Sequence, residues 1–293
     1  MRQPRLASVA ACLLAASIFL LTACSTAGLV ARSSLSILDS GVAVMNRETD
    51  LELAKVAIPA NLKLIESLIH ELPTNRNLRV YAAQGFYGYA FAFAEDESPI
   101  RAQALYERGF KHGVAALQTF GVAGDIEAMS LDEFQRTLDR LDVVAVPALF
   151  WTASNWAKWI DLNRTDPAHI AELGKVEAMM QRVLQLDENY YYGGAHIFFG
   201  VWYGGRPPTL GGNFALSEQH FAKAREITHG KLLAVDLLSA QYLAVQQNNR
   251  ARFHELLTVV IGARVSDYPD LALANTIAQR KASQLLKKEE ELF

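Results

Sequence analysis

The sequence predicts an all-α protein built from stacked antiparallel helix pairs. Apolar residues recur three and four positions apart along most of the chain, which is the period of an amphipathic helix, and the alternation typical of half-buried strands is absent. Helix start signals stand where the periodicity resumes. Ser98 and Pro99, like Asp166 and Pro167, combine an N-cap residue with proline at the first helical position.

Ahead of the helices, the chain carries the three parts of a bacterial lipoprotein signal. Arg2 and Arg5 precede an apolar run over residues 6–21, and small residues lead to Cys24. The run is shorter than the roughly 20 residues that cross a bilayer as a helix. We therefore expect residues 1–23 to be a cleaved signal peptide.

Cys24 is then the expected lipidation site, and residues 24–28 the tether. Each acyl chain stabilises membrane attachment by roughly 0.8 kcal/mol per buried methylene, so two or three chains hold the protein stably. Ser25, which is not acidic, favours the outer membrane as the destination. The alternative is an ordinary secretory signal that is cut elsewhere.

Periodicity and capping predict twelve helices in a single domain over residues 29–293. Their predicted bounds are 29–46, 50–72, 76–95, 98–119, 130–138, 142–162, 166–186, 189–203, 213–228, 230–247, 249–262 and 268–289. Ser130 and Glu133 form a capping-box pattern at the start of the fifth helix. Pro59 is expected to kink or break the second helix after Val56 or Ala57, and Pro147 to affect the sixth helix more weakly.

Two helices carry the small, aromatic, small spacing of a tetratricopeptide unit, in which small residues allow close helix approach and the aromatic ring fills the groove. The positions are Ala102, Tyr106 and Gly109, and then Ser217, Phe221 and Ala224. The matches are incomplete, so the predicted repeats are degenerate. Stacked helical hairpins form concave surfaces, which generally serve binding.

Composition excludes several functional classes. The net charge is −3, and −5 without residues 1–23, so no basic surface is available for nucleic acid. Cys12 and Cys24 are both committed to the signal and the lipid, which leaves no disulfide. The seven histidines lack metal-ligand spacing, and no P-loop, GxSxG or HExxH motif is present. We expect no metal, no cofactor and no enzymatic activity.

Two segments resemble the T component of TRAP transporters, the TatT family of periplasmic lipoproteins. The first covers residues 50–66 and 82–90, and the second covers residues 190–208 and continues through 211–221. The second segment contains the run YYYGGAH and, after it, GVWYGGRPP. The resemblance extends over about residues 29–293.

This resemblance implies an all-helical fold with degenerate tetratricopeptide repeats, a homotrimer, and a passage through each protomer. It also implies pairing with a periplasmic substrate-binding protein that exchanges a small, apolar or organic-acid ligand upstream of a membrane-embedded permease. Such a protein is a transport accessory and not an enzyme.

Candidate ligand-binding residues fall in the same two segments. Tyr191, Tyr192 and Tyr203 concentrate aromatic area near a pair of glycines, and tyrosine suits a passage because its ring is apolar and its hydroxyl is polar. Most aromatics at helical spacing belong to a core, which is the alternative for these residues. His196 lies in the same turn, where a hydrogen-bonded core histidine is the competing interpretation.

Three polar side chains and one cation complete the set. Arg206, in the Gly/Pro-rich loop 204–212, suits a ligand carboxylate or a partner acid, or else it fixes the loop. Asn61 follows the proline, and Gln84 and Tyr87 share one helix face.

The cluster of Trp151, Trp156 and Trp159 is expected in the core or at a subunit interface.

Three functions compete for this chain. The leading one is a lipid-anchored periplasmic transport accessory. The second is a tetratricopeptide scaffold for envelope assembly that holds no small molecule. A hydrolytic enzyme comes last, because no nucleophile with an adjacent base and no acid pair is present.

Overall fold

The computed structural model describes residues 37–293, and the fold there consists of helices, turns and connecting segments with no strand, which confirms the all-α class. By contacts the chain divides into a unit ending at Val42, of which residues 37–42 are helical, and a compact unit from Ala43 to Phe293. The predicted signal peptide, Cys24 and the tether lie outside the described residues. Everything below concerns the second unit.

The principal helices are labelled in chain order. They are α1 (Leu51–Glu71), α2 (Arg76–Tyr89), α3 (Pro99–Gln118), α4 (Leu131–Leu138), α5 (Val146–Leu162), α6 (Pro167–Ala171), α7 (Leu173–Leu186), α8 (Tyr190–Gly204), α9 (Phe214–Thr228), α10 (Ala234–Leu238), α11 (Arg250–Gly262), α12 (Ala272–Leu286) and α13 (Glu289–Leu292). Short 3-10 turns precede α5, α9 and α12. Among residues 37–293, no helix is both long and apolar enough to cross a membrane.

Side-chain caps begin the helices where the sequence predicts them. Ser98 caps α3, Ser130 accepts from Glu133 N at 3.3 Å, and Asp166 accepts from Ala168 N at 2.9 Å. Asp50 caps α1 in the same way, although this cap was not predicted from the sequence. Each cap satisfies a backbone donor that has no partner within its helix.

Several predicted helix details are wrong. α1 continues through Pro59 without the predicted break, because one buried face of the helix packs on α2 across the proline. Pro147 lies in the first turn of α5, where its missing N–H costs no helical hydrogen bond. The predicted helix 166–186 divides at Glu172 into α6 and α7.

Helices that are close in the chain pack on each other: α1 packs on α2, α2 on α3, α3 on α5, and α8 on α9. All six residues of the two predicted repeat motifs are buried. The close approach of α3 and α5 depends on glycine, since a Cβ at Gly113 would lie 2.9 Å from the Cα of Thr152. The assignment of these helix pairs to degenerate tetratricopeptide repeats stays a prediction.

Two helices change to a π-helical turn near their C-terminal ends. The first turn, Ala90–Ala94, extends α2, and the second, Ser239–Ala244, extends α10. A π turn inserts one residue into the helical register and is frequent at functional sites. Both turns lie close to residues discussed below.

The C-terminal helix α12 closes back onto the end of α2. Arg280 and Lys281 reach Asp96 at 3.0 and 2.9 Å, and Arg280 also donates to the carbonyl of Ala92 in the first π turn. These contacts join residues that are more than 180 positions apart. The two ends of the described fold therefore share one interior.

Two glycine substitutions test the packing of α3 on α5. Gly113→Ala is expected to destabilise the protein by about 1–3 kcal/mol, because the new methyl group would overlap the backbone of Thr152. Gly88→Ala, on α2, has no atom within 4 Å of its Cβ and is expected to stabilise by about 0.5–1 kcal/mol. Urea unfolding of both variants against the wild type measures the difference. Equal stabilities would contradict the packing of α3 on α5.

Candidate functional site

An aromatic cluster joins the two segments that contain the candidate residues. The Tyr191 ring lies 4.5 Å from Trp151, and Trp151 lies 5.5 Å from Tyr87, centroid to centroid. The Gln84 side chain is close enough to Tyr191 to lower the pKa of its hydroxyl, against the larger rise caused by burial. The structure thus brings together Gln84, Tyr87 and Tyr191, which the sequence separates by more than 100 positions.

The backbone at the start of α8 makes a left-handed turn. Tyr191, Tyr192 and Gly193 have φ values of +47°, +62° and +70°, inside a segment predicted as ordinary helix. A residue other than glycine costs about 1–2 kcal/mol in this region, because its Cβ approaches the following carbonyl. Two adjacent tyrosines therefore carry strain, which the surrounding packing must offset.

The two glycines after these tyrosines permit close packing, as predicted. A Cβ on Gly193 would lie 2.9 Å from Ile227, and a Cβ on Gly194 would lie 2.5 Å from the ring of Phe150. Phe150 in turn contacts Tyr191 at 5.7 Å. The left-handed turn is thus held between α5 and α9.

Tyr191 combines exposure with strong desolvation. The residue is 42% exposed, yet burial in the surrounding protein raises the pKa of its hydroxyl to about 12. Tyr191 is therefore accessible and closely surrounded by protein at the same time. Tyr192 is 40% exposed beside it.

His196 and Tyr203 belong to a second group, between α8 and α9. His196 is buried, with Nδ1 2.9 Å from Nδ1 of His220 and Nε2 3.3 Å from Glu188. The Tyr203 ring stacks on His220 at 5.9 Å. Burial lowers the pKa of His220 to about 4, so His220 is neutral at physiological pH. These contacts resemble a satisfied core pair more than an open ligand contact.

Arg206 has a free guanidinium within the described fold. It lies 3.9 Å above the ring of Trp202 and makes no hydrogen bond or ion pair with residues 37–293. Desolvation lowers the pKa of Arg206 from the ordinary arginine value, and the negative charge of Glu177 partly offsets this lowering. The loop that carries it is rigid, because Gly212 N donates to Pro207 O at 3.1 Å and a Cβ on Gly212 would overlap the Arg206 carbonyl.

Asn61 is not brought into either group. It is exposed on α1, whereas the neighbouring Leu62 turns inward against Gly85 of α2. A groove of about 380 Å³ lies elsewhere, between α4 and α7, and includes Gln135, Glu177 and Arg182 among its lining residues. It contains none of the candidate residues, so we place the site at the aromatic cluster, where accessible tyrosines are strongly desolvated.

Four polar residues near Tyr87 were not identified from the sequence. Lys158 pairs with Glu95 at 2.7 Å, and Tyr106 donates a 2.5 Å hydrogen bond to the same carboxylate. Tyr242, on the second π turn, interacts electrostatically with Lys158. No sequence spacing connects these positions. The one feature of the sequence that could have indicated this group is a lysine within a tryptophan-rich helix.

The arrangement offers aromatic faces, phenolic hydroxyls and an amide, which are groups suited to binding. In residues 37–293, no three His, Cys, Asp or Glu side chains are grouped to hold a metal ion. The site is therefore suited to a ligand with a large apolar part.

The chain was compared with known proteins. Residues 47–293 match the family model described as "TRAP transporter T-component". The chain is also similar to an uncharacterized protein of Treponema pallidum (strain Nichols), with 26% identity over 266 residues, covering 85% of this chain and 82% of the relative. The family match covers both groups of candidate residues and the polar residues near Tyr87.

Substitutions at Tyr192 test the left-handed turn. Tyr192→Gly is expected to be more stable than Tyr192→Ile by at least about 1 kcal/mol, because a β-branched residue is strongly disfavoured at positive φ. At Gln219, an exposed position of the right-handed α9, the same pair should rank in the opposite order. Chemical denaturation of the four variants gives both rankings. The same order at both positions would contradict the turn.

Proposed function

Because the chain belongs to the TRAP transporter T-component family, we propose that it is a transport accessory and that it binds a substrate-binding protein and passes a small ligand through its interior. A TRAP-associated role follows from the family match over residues 47–293. The ligand, the partner and the passage are the proposed parts.

The single observation that carries the passage is the state of Tyr191. The residue is 42% exposed, yet its surroundings desolvate the hydroxyl and raise its pKa to about 12. An apolar ligand can displace water from such an accessible but poorly hydrated aromatic residue at little cost. Tyr87, which is half-buried, lies on the inner side of Trp151, whose buried ring contacts both tyrosines.

The proposed ligand is small and either largely apolar or an organic acid. Aromatic faces take the apolar part, and the free guanidinium of Arg206 accounts for the acidic alternative. Arg206 also suits an acidic residue of the partner protein, since its loop is rigid and needs no ordering on binding. Both roles of Arg206 are compatible with transfer between the two proteins.

The location that fits this role is the periplasmic face of the envelope. We propose a lipid anchor on Cys24 and attachment to the outer membrane, on the basis of the N-terminal signal pattern and Ser25. A tethered accessory remains close to a substrate-binding protein that diffuses in the same compartment.

We also propose self-association as a homotrimer, and an apolar stripe along α1 supports it. Leu53, Val56 and Leu64 are 52%, 67% and 53% exposed, and Ala60 between them is also exposed. The spacing places all four on one side of the helix, opposite the side that packs on α2. Contiguous exposed apolar surface of this kind is typical of a protein contact.

Native mass spectrometry of the protein from its own cells tests the transport role. The expected result is a trimer that retains a small molecule and binds the substrate-binding protein of the TRAP system. A ligand-free protein with no affinity for that partner would reject the proposal and favour the scaffold function.

The apolar stripe gives a separate prediction. Val56→Glu combined with Leu64→Glu is expected to convert the trimer to monomers, because two buried charges at each contact cannot be desolvated without partners. Leu210→Glu, at a 70% exposed leucine in the 204–212 loop, is the matched control and should leave the trimer intact. Analytical ultracentrifugation reports the masses. A trimer that survives both changes on α1 would exclude this face.

A further inference from the structure

A polar cluster surrounds Lys158 of α5, which pairs with Glu95 after the first π turn and interacts electrostatically with Tyr242 of the second π turn. Lys158 of α5 is 2.7 Å from Glu95 and 3.9 Å from Asp161. Its side chain is 19% exposed, so the ammonium is neither free in solvent nor fully enclosed. An ammonium has three N–H donors, and the Glu95 contact occupies one of them. Lys158 therefore keeps donor capacity after pairing.

Two tyrosine hydroxyls near Lys158 have no partner. Tyr87 and Tyr242 are half-buried, and neither hydroxyl forms a hydrogen bond with residues 37–293. Burial raises the pKa of Tyr87 well above its usual value, so this hydroxyl is desolvated and stays protonated as a donor. Polar groups in such positions almost always have a partner, from the protein, water or a ligand. Here the protein supplies none.

The position of Tyr242 depends on local geometry that is costly to build. The residue lies on the π turn Ser239–Ala244, and its ring packs against the backbone of the loop at Gly205, where a Cβ would lie 3.0 Å from its Cδ1. Tyr87 is placed next to Tyr106, 5.6 Å away, and so next to the Glu95 and Lys158 pair. Two separate helices thus direct donors to one place.

The polar cluster is continuous with the aromatic cluster. The Tyr87 ring contacts Trp151 at 5.5 Å, and Trp151, which is buried, contacts Tyr191 at 4.5 Å, so the two clusters adjoin through packed rings. A molecule that reaches from Tyr191 to Lys158 meets an aromatic face at one end and donors at the other. A ligand that binds at both ends therefore needs a polar acceptor group at one end and an apolar part at the other.

We infer that Lys158, Tyr87 and Tyr242 form a head-group site for an amphipathic organic anion, with its negatively charged oxygens at these donors and its apolar body against Tyr191. The inference rests on the proposed function and names its ligand class. All three groups donate, so an oxygen-rich anionic head satisfies them and an amine does not. Glu95 competes with the anion for Lys158 and thereby sets how tightly the anion is bound.

Two fluorescent probes of nearly the same shape test this site. One is 8-anilino-1-naphthalenesulfonate, an anion, and the other is N-phenyl-1-naphthylamine, which lacks the sulfonate. Binding is measured with the full-length protein in nanodiscs, with the signal of empty nanodiscs subtracted. The wild type is expected to bind both probes at one site per protomer.

The variants separate the head group from the apolar body. The double variant Lys158→Met with Glu95→Gln removes the pair without leaving a lone charge, and it should weaken the anionic probe at least tenfold while changing the neutral probe less than twofold. Glu95→Gln alone frees Lys158 and should strengthen the anionic probe. Lys223→Met, at a surface ion pair with Glu226, is the control and should change neither.

The double variant Tyr87→Phe with Tyr242→Phe keeps the packing of both rings. It tests the head-group site if the charge variants fail to fold. It should weaken the anionic probe severalfold and leave the neutral probe unchanged. Equal shifts for the two probes, or no dependence on Lys158 and the hydroxyls, would overturn the head-group site while leaving the passage intact. A wild type that binds neither probe would reject the passage and the head-group site together.

Discussion

The arrangement of the interior depends on the acidic pair that follows the first π turn. Glu95 receives Lys158 from α5 and the Tyr106 hydroxyl from α3, while Asp96 receives Arg280 and Lys281 from α12. Each of these side chains is partly buried, so its charges interact more strongly than they would at a fully hydrated surface. Removal of either carboxylate would leave its cations with weaker or no acidic partners, which costs more than the loss of a surface ion pair. These contacts join α12 to the segment that follows α2.

Small residues set how closely the helices approach that space. Asn155 of α5 is fully buried and donates to Ala83 O at 3.0 Å, so a polar side chain links α5 to α2 in the centre of the core. Gly113 brings α3 onto Thr152 of the same helix. Since α5 also carries Trp151 and Lys158, this packing determines the positions of both the aromatic and the charged parts of the site. The central helix therefore belongs both to the core and to the proposed site.

Backbone conformations of high energy are concentrated at the same interior. The left-handed turn at Tyr191 and Tyr192 and the two π turns all carry or adjoin residues of the proposed path. Proteins retain such conformations where the surrounding structure compensates for them, and they are frequent at functional sites. Here each one contains aromatic residues, among them Tyr191 in the left-handed turn and Tyr242 in the second π turn.

The sequence by itself determined the helical class, most helix bounds and the positions of the caps, because periodicity and capping are local properties that the chain expresses without tertiary context. It also indicated the family, which the comparison confirms, whereas its eight candidate ligand-binding residues stay a prediction. Only the tertiary structure decided that α1 passes through Pro59, that Tyr191 lies in a left-handed turn, that Tyr191 lies near Tyr87, and that Glu95 pairs with Lys158. These outcomes depend on packing between segments far apart in the chain, which can outweigh the local preference of any single residue and leaves no periodic signal in the sequence.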